Sequence, residues 1–290
     1  MKKLLFLTVT LVLCSSVFAS ADFFDTIQSV VSPDSKEGKI IAGASQMLAG
    51  SKDIDYKTER TIGEGLALEG LTRFGNPVKN DQLQQYVNLV GNALAANSKR
   101  PTIPYSFAVL DSPVQNAFAV PGGVIFVSRA LFTVLENEAE LAGVLAHEIG
   151  HVAAKHALKS TQRAQMIQGA GAITAASVGG EKGKKLADTV GNLQTMLFDK
   201  GLDKDMEFEA DLAAMETVYR TGYDPAAFIK VLEKLQKLEA TSKDKNGSWF
   251  STHPPLAERI ARLKAKLATY PDYSTQAHVD GRFQKYVKMK

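Results

Sequence analysis

The segment Asn137–Ala153, with the sequence NEAELAGVLAHEIGHVA, decides the fold. Its apolar residues recur three and four positions apart, which predicts a helix with one buried face. Asn137, followed three residues later by Glu140, is typical of a helix N-terminus. We expect this helix to run to about Leu158 and its apolar face to lie in the packed interior.

The helix carries His147, Glu148 and His151 in the pattern HExxH. At about 100° per residue, the two histidines lie about 40° apart and share a side with the apolar residues. Buried polar groups need partners, and a zinc ion held by both imidazoles supplies them. Glu148 is then placed to act as general base for a water that attacks a peptide carbonyl. The alternative is a pair of core histidines that bind no metal.

A second helix is expected to supply the third metal ligand. Ala154 and Ala157 stand where the metzincin pattern HExxHxxGxxH requires glycine and histidine, so that class is excluded. Glu207 and Asp211 share one face of a later helix. Glu207 can bind the metal, and Asp211 can accept a hydrogen bond from the outer nitrogen of a ligand histidine. A solvated acidic face is the alternative for this pair.

Two neighbouring polar residues are predicted to lie outside this site. His156 would stand about 140° round the first helix from His151, so we interpret it as a structural, hydrogen-bonding histidine. Glu209 points away from the other two acids of its helix and is expected to face solvent.

The remaining pattern predicts an α+β protein that is mostly helical. Helices are expected near 59–74, 80–96, 203–220, 225–238 and 255–267. The runs FAVLD, NAFAV and VIFVS are rich in β-forming residues. Pro121-Gly122-Gly123 separates the last two runs, which predicts a hairpin over Asn116–Ser128.

Composition and the N-terminal residues indicate where the protein works. The 290 residues are 45% hydrophobic and 22% charged, and a net charge of +3 gives no electrostatic case for nucleic acid. Residues 1–21 combine Lys2 and Lys3 with an apolar run, Leu4–Leu13, that is too short to span a bilayer. This pattern predicts a cleavable signal peptide and a periplasmic protein. The alternative is an outer-membrane lipoprotein attached through Cys14.

Several of these motifs together resemble one known family. The motifs that carry this similarity are HEIGH at 147–151, the ExxAD string at 207–211, NAFA at 116–119 before PGG at 121–123, and STHPP at 251–255 before Glu258-Arg259. With these motifs the chain is similar to the family of gluzincin metallopeptidases that includes the CAAX prenyl endopeptidase, HtpX, BepA and LoiP. The match runs from about Glu59 to Leu267, and its layout is similar to the exported, periplasmic BepA- and LoiP-like members. The resemblance implies a small antiparallel sheet beside the HExxH helix.

The chain is accordingly divided into four parts. These are a signal peptide (1–21), a lead-in segment (22–58), a zinc metallopeptidase domain (59–270) and a C-terminal tail (271–290). The resemblance implies that one Zn²⁺ per chain is held by His147, His151 and Glu207. Glu148 would be the general base, and Asp211 would orient a ligand histidine.

The resemblance also implies how a substrate is held. The edge strand that a substrate would join consists of Asn116, Ala117, Phe118 and Ala119. His253 and Arg259 would be catalytic residues over the metal. There the pair would donate hydrogen bonds to the developing oxyanion, or His253 would block the fourth position of the zinc.

The implied activity is zinc-dependent hydrolysis of peptide bonds in unfolded or damaged cell-envelope proteins, as part of periplasmic quality control. One alternative is a latent protease that acts mainly as a chaperone or assembly factor for outer-membrane proteins, with His253 blocking the zinc. Another is a structural zinc site with His253 as a permanent ligand. The expected partners are unfolded polypeptides, outer-membrane or envelope assembly proteins and, peripherally, the membrane surface.

Overall fold

The helices surround a small sheet. A computed structural model describes residues 54–163, 196–241, 248–253 and 256–287. In these ranges the helices are α1 (Tyr56–Phe74), α2 (Asp81–Ala96), α3 (Glu138–Ala153), α4 (Lys204–Thr221), α5 (Ala226–Thr241), α6 (Trp249–Thr252), α7 (Leu256–Leu267) and α8 (Asp280–Val287). The strands are β1 (Ser106–Leu110), β2 (Ala117–Val120) and β3 (Val124–Ser128). Among these described helices, none combines the length and apolar character that crossing a membrane requires. The predicted signal peptide and most of the lead-in segment lie outside the described residues.

The three strands form one sheet in the order β1-β3-β2. Strands β2 and β3 are the predicted hairpin and pair antiparallel, with Phe118 opposite Phe126. Strand β1 pairs with β3 in parallel, with Ala108 opposite Phe126. The sheet is therefore mixed rather than antiparallel, because the chain passes from β1 to the far edge strand and the hairpin then brings β3 back between the two.

Helix α3 lies at the centre of the protein, as its apolar face predicts. It packs against α2, α4, α5 and β2, and side chains such as Leu141, Leu145 and Ile149 are fully buried. The side-chain oxygen of Asn137 accepts a hydrogen bond from the backbone N–H of Glu140 at 3.0 Å. The predicted N-terminus of this helix is therefore confirmed.

The other end of α3 differs from the prediction. The helix ends at Ala153 rather than near Leu158. Lys155 has a φ of 55°, in the left-handed region that non-glycine residues seldom enter, and residues 156–163 then resume a helical conformation. Apolar periodicity does not reveal a left-handed turn at a lysine. The position predicted for His156 on the helical wheel is therefore wrong.

Residues of the predicted C-terminal tail fold back onto the start of α3. Glu138 is fully buried, and its carboxylate accepts hydrogen bonds from the hydroxyl of Tyr223 at 2.5 Å and from Nε of Arg282 at 2.6 Å. Phe283, which follows on α8, is also fully buried. Helix α8 therefore helps to hold the N-terminus of α3 in place.

Helix α1 is pressed against the hairpin turn that ends β2. Gly63 allows this approach, because a Cβ at this position would lie 1.7 Å from the carbonyl oxygen of Pro121. One turn earlier, the buried carboxylate of Glu59 accepts a hydrogen bond from the backbone N–H of Gly122 at 3.1 Å and pairs with Arg100 at 2.8 Å. The position of the turn, and with it that of β2, therefore depends on α1.

Gly63→Ala should lower the free energy of unfolding by about 1–3 kcal/mol, because the new methyl group would overlap backbone atoms of the turn. Gly281→Ala is the matched control, since a Cβ at this helical glycine meets nothing within 4 Å. There alanine should be neutral or should stabilise the protein by up to about 1 kcal/mol. Urea unfolding followed by circular dichroism measures both changes. Equal stabilities of the two variants would contradict the close packing of α1 on the turn.

Candidate active site

Four side chains that can bind a metal converge at α3. Helix α3 contributes His147 and His151, α4 contributes Glu207, and His253 directly follows α6. One donor atom of each lies within 4.8 Å of the others, and all four residues are buried. The Nε2 atoms of the two α3 histidines are 3.0 Å apart. Oε2 of Glu207 lies 3.5 Å from Nε2 of His147, and Oε1 lies 3.5 Å from Nε2 of His151. The structure thus brings together the three ligands predicted from the sequence and His253, which the resemblance implied would lie over the metal.

The close approach of α4 to α3 brings Glu207 to the two histidines. Gly150 lies at the contact between the helices, where a Cβ would be 3.1 Å from the carbonyl oxygen of Ala210. A larger residue at position 150 would push the helices apart. The glycine inside HEIGH therefore allows a carboxylate on α4 to reach imidazoles on α3.

The surroundings of these side chains fit a divalent cation. Burial lowers the pKa values of His147 and His151, so both rings are neutral and each can offer a lone pair. Burial raises the pKa of Glu207. Its oxygens receive no hydrogen bond from the described residues, although Nη1 of Arg259 lies 2.9 Å from one of them. Two imidazoles and one carboxylate are a donor set typical of zinc, and a bound cation would stabilise the buried carboxylate.

Asp211 and Arg259 form a buried ion pair beside the ligands. The guanidinium donates two hydrogen bonds to the carboxylate, at 2.8 and 2.6 Å. Oδ1 of Asp211 also lies 3.0 Å from Nδ1, the outer nitrogen of His147, although this nitrogen makes no hydrogen bond to the described residues. Burial alone would lower the pKa of Arg259, but the charges of Asp211 and Glu207 raise it, so the guanidinium keeps its charge. Arg259 therefore contacts the ligands and their supporting carboxylate.

His253 is held in place by three neighbours. Its carbonyl oxygen accepts a hydrogen bond from Arg259 at 2.6 Å, and its ring stacks on Trp249 with the centroids 4.2 Å apart. Its Nδ1 lies 2.9 Å from the hydroxyl of Thr252, whereas its Nε2 lies 3.6 Å from a carboxylate oxygen of Glu148. Burial lowers the pKa of His253 to about 3, so the ring is neutral.

The candidate base, Glu148, is linked to strand β2. Burial has the largest effect on its carboxyl group and raises the pKa to about 8. The charge of Arg259 and a hydrogen bond from the backbone of Ala119 act in the opposite direction and lower this pKa. Glu148 therefore lies close to the strand that the sequence predicted to bind substrate.

The outer side of β2 faces this carboxylate. The backbone N–H of Ser128 donates a hydrogen bond to the carbonyl of Asn116 at 2.8 Å. In an antiparallel ladder such pairs recur at every second residue. The backbone groups of Ala117 and Ala119 therefore point away from β3, toward the outer side of the sheet.

A cleft opens next to the ligands and β2. Its polar lining includes Glu148, His151 and His253. Its apolar lining includes Phe118, Val120, Val152, Ala157, Leu158 and Leu197. An extended peptide on β2 could therefore place an apolar side chain close to the candidate base.

His156 and Glu209 belong to this site, although their positions in the sequence predicted that they would lie outside it. His156 is fully buried, and its Nδ1 lies 2.9 Å from Nδ1 of His151. Its Nε2 lies 3.3 Å from the half-exposed carboxylate of Glu209. Burial is the largest influence on the pKa of His156 and lowers it. The only sequence signal was a third histidine soon after HExxH, and its meaning depends on the turn at Lys155.

Comparisons with known proteins place this site in a family. The sequence profile of peptidase family M48 matches residues 81–267. A beta-barrel assembly-enhancing protease of Yersinia pestis is 31% identical over 212 residues, which cover 70% of this chain and 43% of that protein. Metalloprotease LoiP of Escherichia coli (strain K12) is 32% identical over 189 residues, which cover 65% of this chain and 72% of LoiP. The mitochondrial metalloendopeptidase OMA1 of Arabidopsis thaliana is 30% identical over 171 residues, which cover 59% of this chain and 33% of OMA1.

The chain spans about two fifths of the length of the beta-barrel assembly-enhancing proteases that it matches. The range matched by the family profile contains α3, Glu207 and His253, and thus all four buried donors. The resemblance inferred from the sequence motifs is confirmed. The profile of peptidase family M48 matches more than half of the residues of this chain, and the chain therefore belongs to that family.

Proposed function

We propose that the protein is a zinc-dependent endopeptidase that hydrolyses unfolded or damaged proteins of the cell envelope. The observation that carries this proposal is the buried cluster of His147, His151 and Glu207 next to Glu148, in a chain of peptidase family M48. Zinc suits two imidazoles and a carboxylate, whereas magnesium and calcium prefer ligand sets made of oxygen.

Glu148 would be the general base. Bound zinc would supply the positive charge that polarises a peptide carbonyl and makes water a better acid. Oε1 of Glu148 receives no hydrogen bond from the described residues, so this oxygen can take a proton from water and pass it to the departing amine. Burial and the hydrogen bond from Ala119 shift the pKa of Glu148 in opposite directions. This balance suits a group that both takes and gives a proton.

The two edges of the sheet differ, which favours β2 as the substrate-binding strand. On β1, the side-chain amide of Gln84 bonds both the N–H and the carbonyl of Val109, and Asn88 does the same for Phe107. No strand among the described residues pairs with the outer side of β2. An extended substrate could join β2 there and bring a carbonyl close to Glu148.

Unfolded polypeptide is the proposed substrate class, because pairing with an edge strand requires an extended backbone with available amides. The predicted signal peptide at 1–21 supports a periplasmic location. The names of the beta-barrel assembly-enhancing relatives support outer-membrane assembly proteins as partners or substrates.

One observation favours a second function, a latent protease that acts mainly as a chaperone or assembly factor. A ring nitrogen of His253 belongs to the group of donor atoms that lie within 4.8 Å of one another. A tetrahedral zinc with four protein ligands has no position left for a water or a substrate. The cleft and β2 would then hold polypeptides without cleaving them until His253 moves.

Glu148→Gln should reduce casein cleavage by at least about 100-fold, because an amide cannot accept the proton. Zinc measured by mass spectrometry should remain at one ion per chain, since Glu148 is not among the proposed ligands. Glu216→Gln changes a half-exposed glutamate on α4 and is the matched control. It should cleave at the wild-type rate. Full cleavage by Glu148→Gln would overturn its assignment as the base.

His253→Ala distinguishes the two functions. For the endopeptidase we expect cleavage to fall by about 100-fold or more with zinc retained, because a hydrogen-bond donor to the oxyanion is lost. For the latent protease, the wild type would be nearly inactive and the variant would cleave faster. Loss of zinc from the variant, with no gain in cleavage, would instead favour a structural metal site. The same casein and zinc measurements separate these outcomes.

Pairing with β2 can be tested on the substrate. Every second residue of an added strand directs its amide toward the neighbouring strand. N-methylation of those residues should raise KM by about 2- to 10-fold for each hydrogen bond lost. N-methylation of the intervening residues should leave KM nearly unchanged. Peptides methylated at one residue at a time give this pattern directly, and an equal effect at all positions would argue against strand pairing.

A further inference from the structure

Both α3 histidines contact another side chain through their outer nitrogen. Nδ1 of His147 lies 3.0 Å from Asp211. Nδ1 of His151 lies 2.9 Å from Nδ1 of His156, whose Nε2 lies 3.3 Å from a carboxylate oxygen of Glu209. The second histidine is therefore connected through a buried ring to a carboxylate at the surface.

The carboxylate at the end of this connection determines where the protons lie. An ionised Glu209 can only accept a hydrogen bond, so Nε2 of His156 carries a hydrogen. In a neutral imidazole the other nitrogen is then an acceptor. Nδ1 of His151 must therefore be the donor in the contact between the two rings. This leaves the lone pair of His151 on Nε2, the atom that lies 3.5 Å from Glu207.

The backbone turn at Lys155 makes this contact possible. On an uninterrupted helix, His156 would point about 140° away from His151. The left-handed conformation of Lys155 redirects the chain so that the two rings meet. The ammonium group of Lys155 holds the turn through a hydrogen bond to the carbonyl of Ile54 at 3.0 Å and lies 3.7 Å from Glu59. Strained backbone of this kind is concentrated at functional sites.

We propose that His156 and Glu209 are positioning residues that hold His151 in the tautomer and ring orientation that present its Nε2 to a zinc ion. The inference rests on the metal site of the proposed function, but it does not require that the protein cleaves peptides. Partners of this kind fix the orientation of a ligand histidine and raise its basicity.

His156→Leu and His156→Asn form a matched pair of variants. The two side chains have nearly the same shape, but only asparagine offers an oxygen that can accept a hydrogen bond from His151. The zinc affinity of the full chain, measured by competition with a fluorescent chelator, should fall about 10- to 100-fold in His156→Leu and much less in His156→Asn. An unchanged affinity in His156→Leu would overturn the proposal. Equal losses in both variants would also overturn it, because the effect would then be one of packing.

Glu209→Gln tests the outer end of the connection without disturbing buried residues. It should weaken zinc binding several-fold, because a neutral amide can present either its oxygen or its nitrogen to His156 and no longer fixes the tautomer. Glu216→Gln, on the same helix and also half-exposed, should leave the affinity unchanged. Equal affinities in the two variants would remove Glu209 from the proposal.

Nitrogen-15 NMR of the imidazoles tests the tautomers directly. The chain has only 5 histidines, so few signals need assignment. We expect the hydrogen of His156 on Nε2 and that of His151 on Nδ1 in the zinc-loaded protein. A hydrogen on Nδ1 of His156 would overturn the proposal.

The same variants keep this inference apart from the proposed function. If the zinc-loaded wild type cleaves no polypeptide but His156→Leu loses affinity for zinc, the endopeptidase proposal fails and the positioning role stands. If the wild type cleaves casein and His156→Leu binds zinc as tightly as the wild type, the positioning role fails and the endopeptidase proposal stands.

Discussion

The burial of ionisable side chains along α3 is the constraint on which the rest of the structure depends. A carboxylate or imidazole withdrawn from water destabilises a fold unless another group compensates for the lost hydration. Asp211 is matched by Arg259, Glu138 by Arg282 and Tyr223, and the cluster around Glu207 fits a divalent cation. The elements around α3 therefore have a second task besides apolar packing. Helices α4, α7 and α8 supply polar partners at defined places.

The candidate metal ligands could be paired from the sequence because the pairing on each helix depends on helix geometry, whereas the meeting of the two pairs depends on the packing of α4 against α3. Residues four apart lie on the same face of a helix whatever surrounds it. This relation places His147 beside His151 on α3, and Glu207 beside Asp211 on α4. The capping of α3 by Asn137 and the hairpin of β2 and β3 are local in the same sense. In each case the residues that determine the local structure are close together in the sequence.

The features that could not be predicted depend on strain or on contacts between distant parts of the chain. The left-handed turn at Lys155 has no periodic signature, and it moves His156 from the predicted far side of a helix to the side of His151. The parallel pairing of β1 with β3 is decided by the path of the chain between them. The difference between the sheet edges requires Gln84 and Asn88, which lie on a preceding helix. The sequence pattern of a single segment therefore cannot predict these contacts between segments.

The way α3 is held has a consequence for the order in which the protein is completed. The donors and their supporting groups come from positions between 147 and 259, and Glu138 at the start of α3 binds Arg282. The arrangement cannot close until residues near 282 are available to reach Glu138. If the protein is an exported endopeptidase, as proposed, its active site would form only after nearly all of the chain had crossed the membrane. Cleavage would then begin only when folding is almost finished.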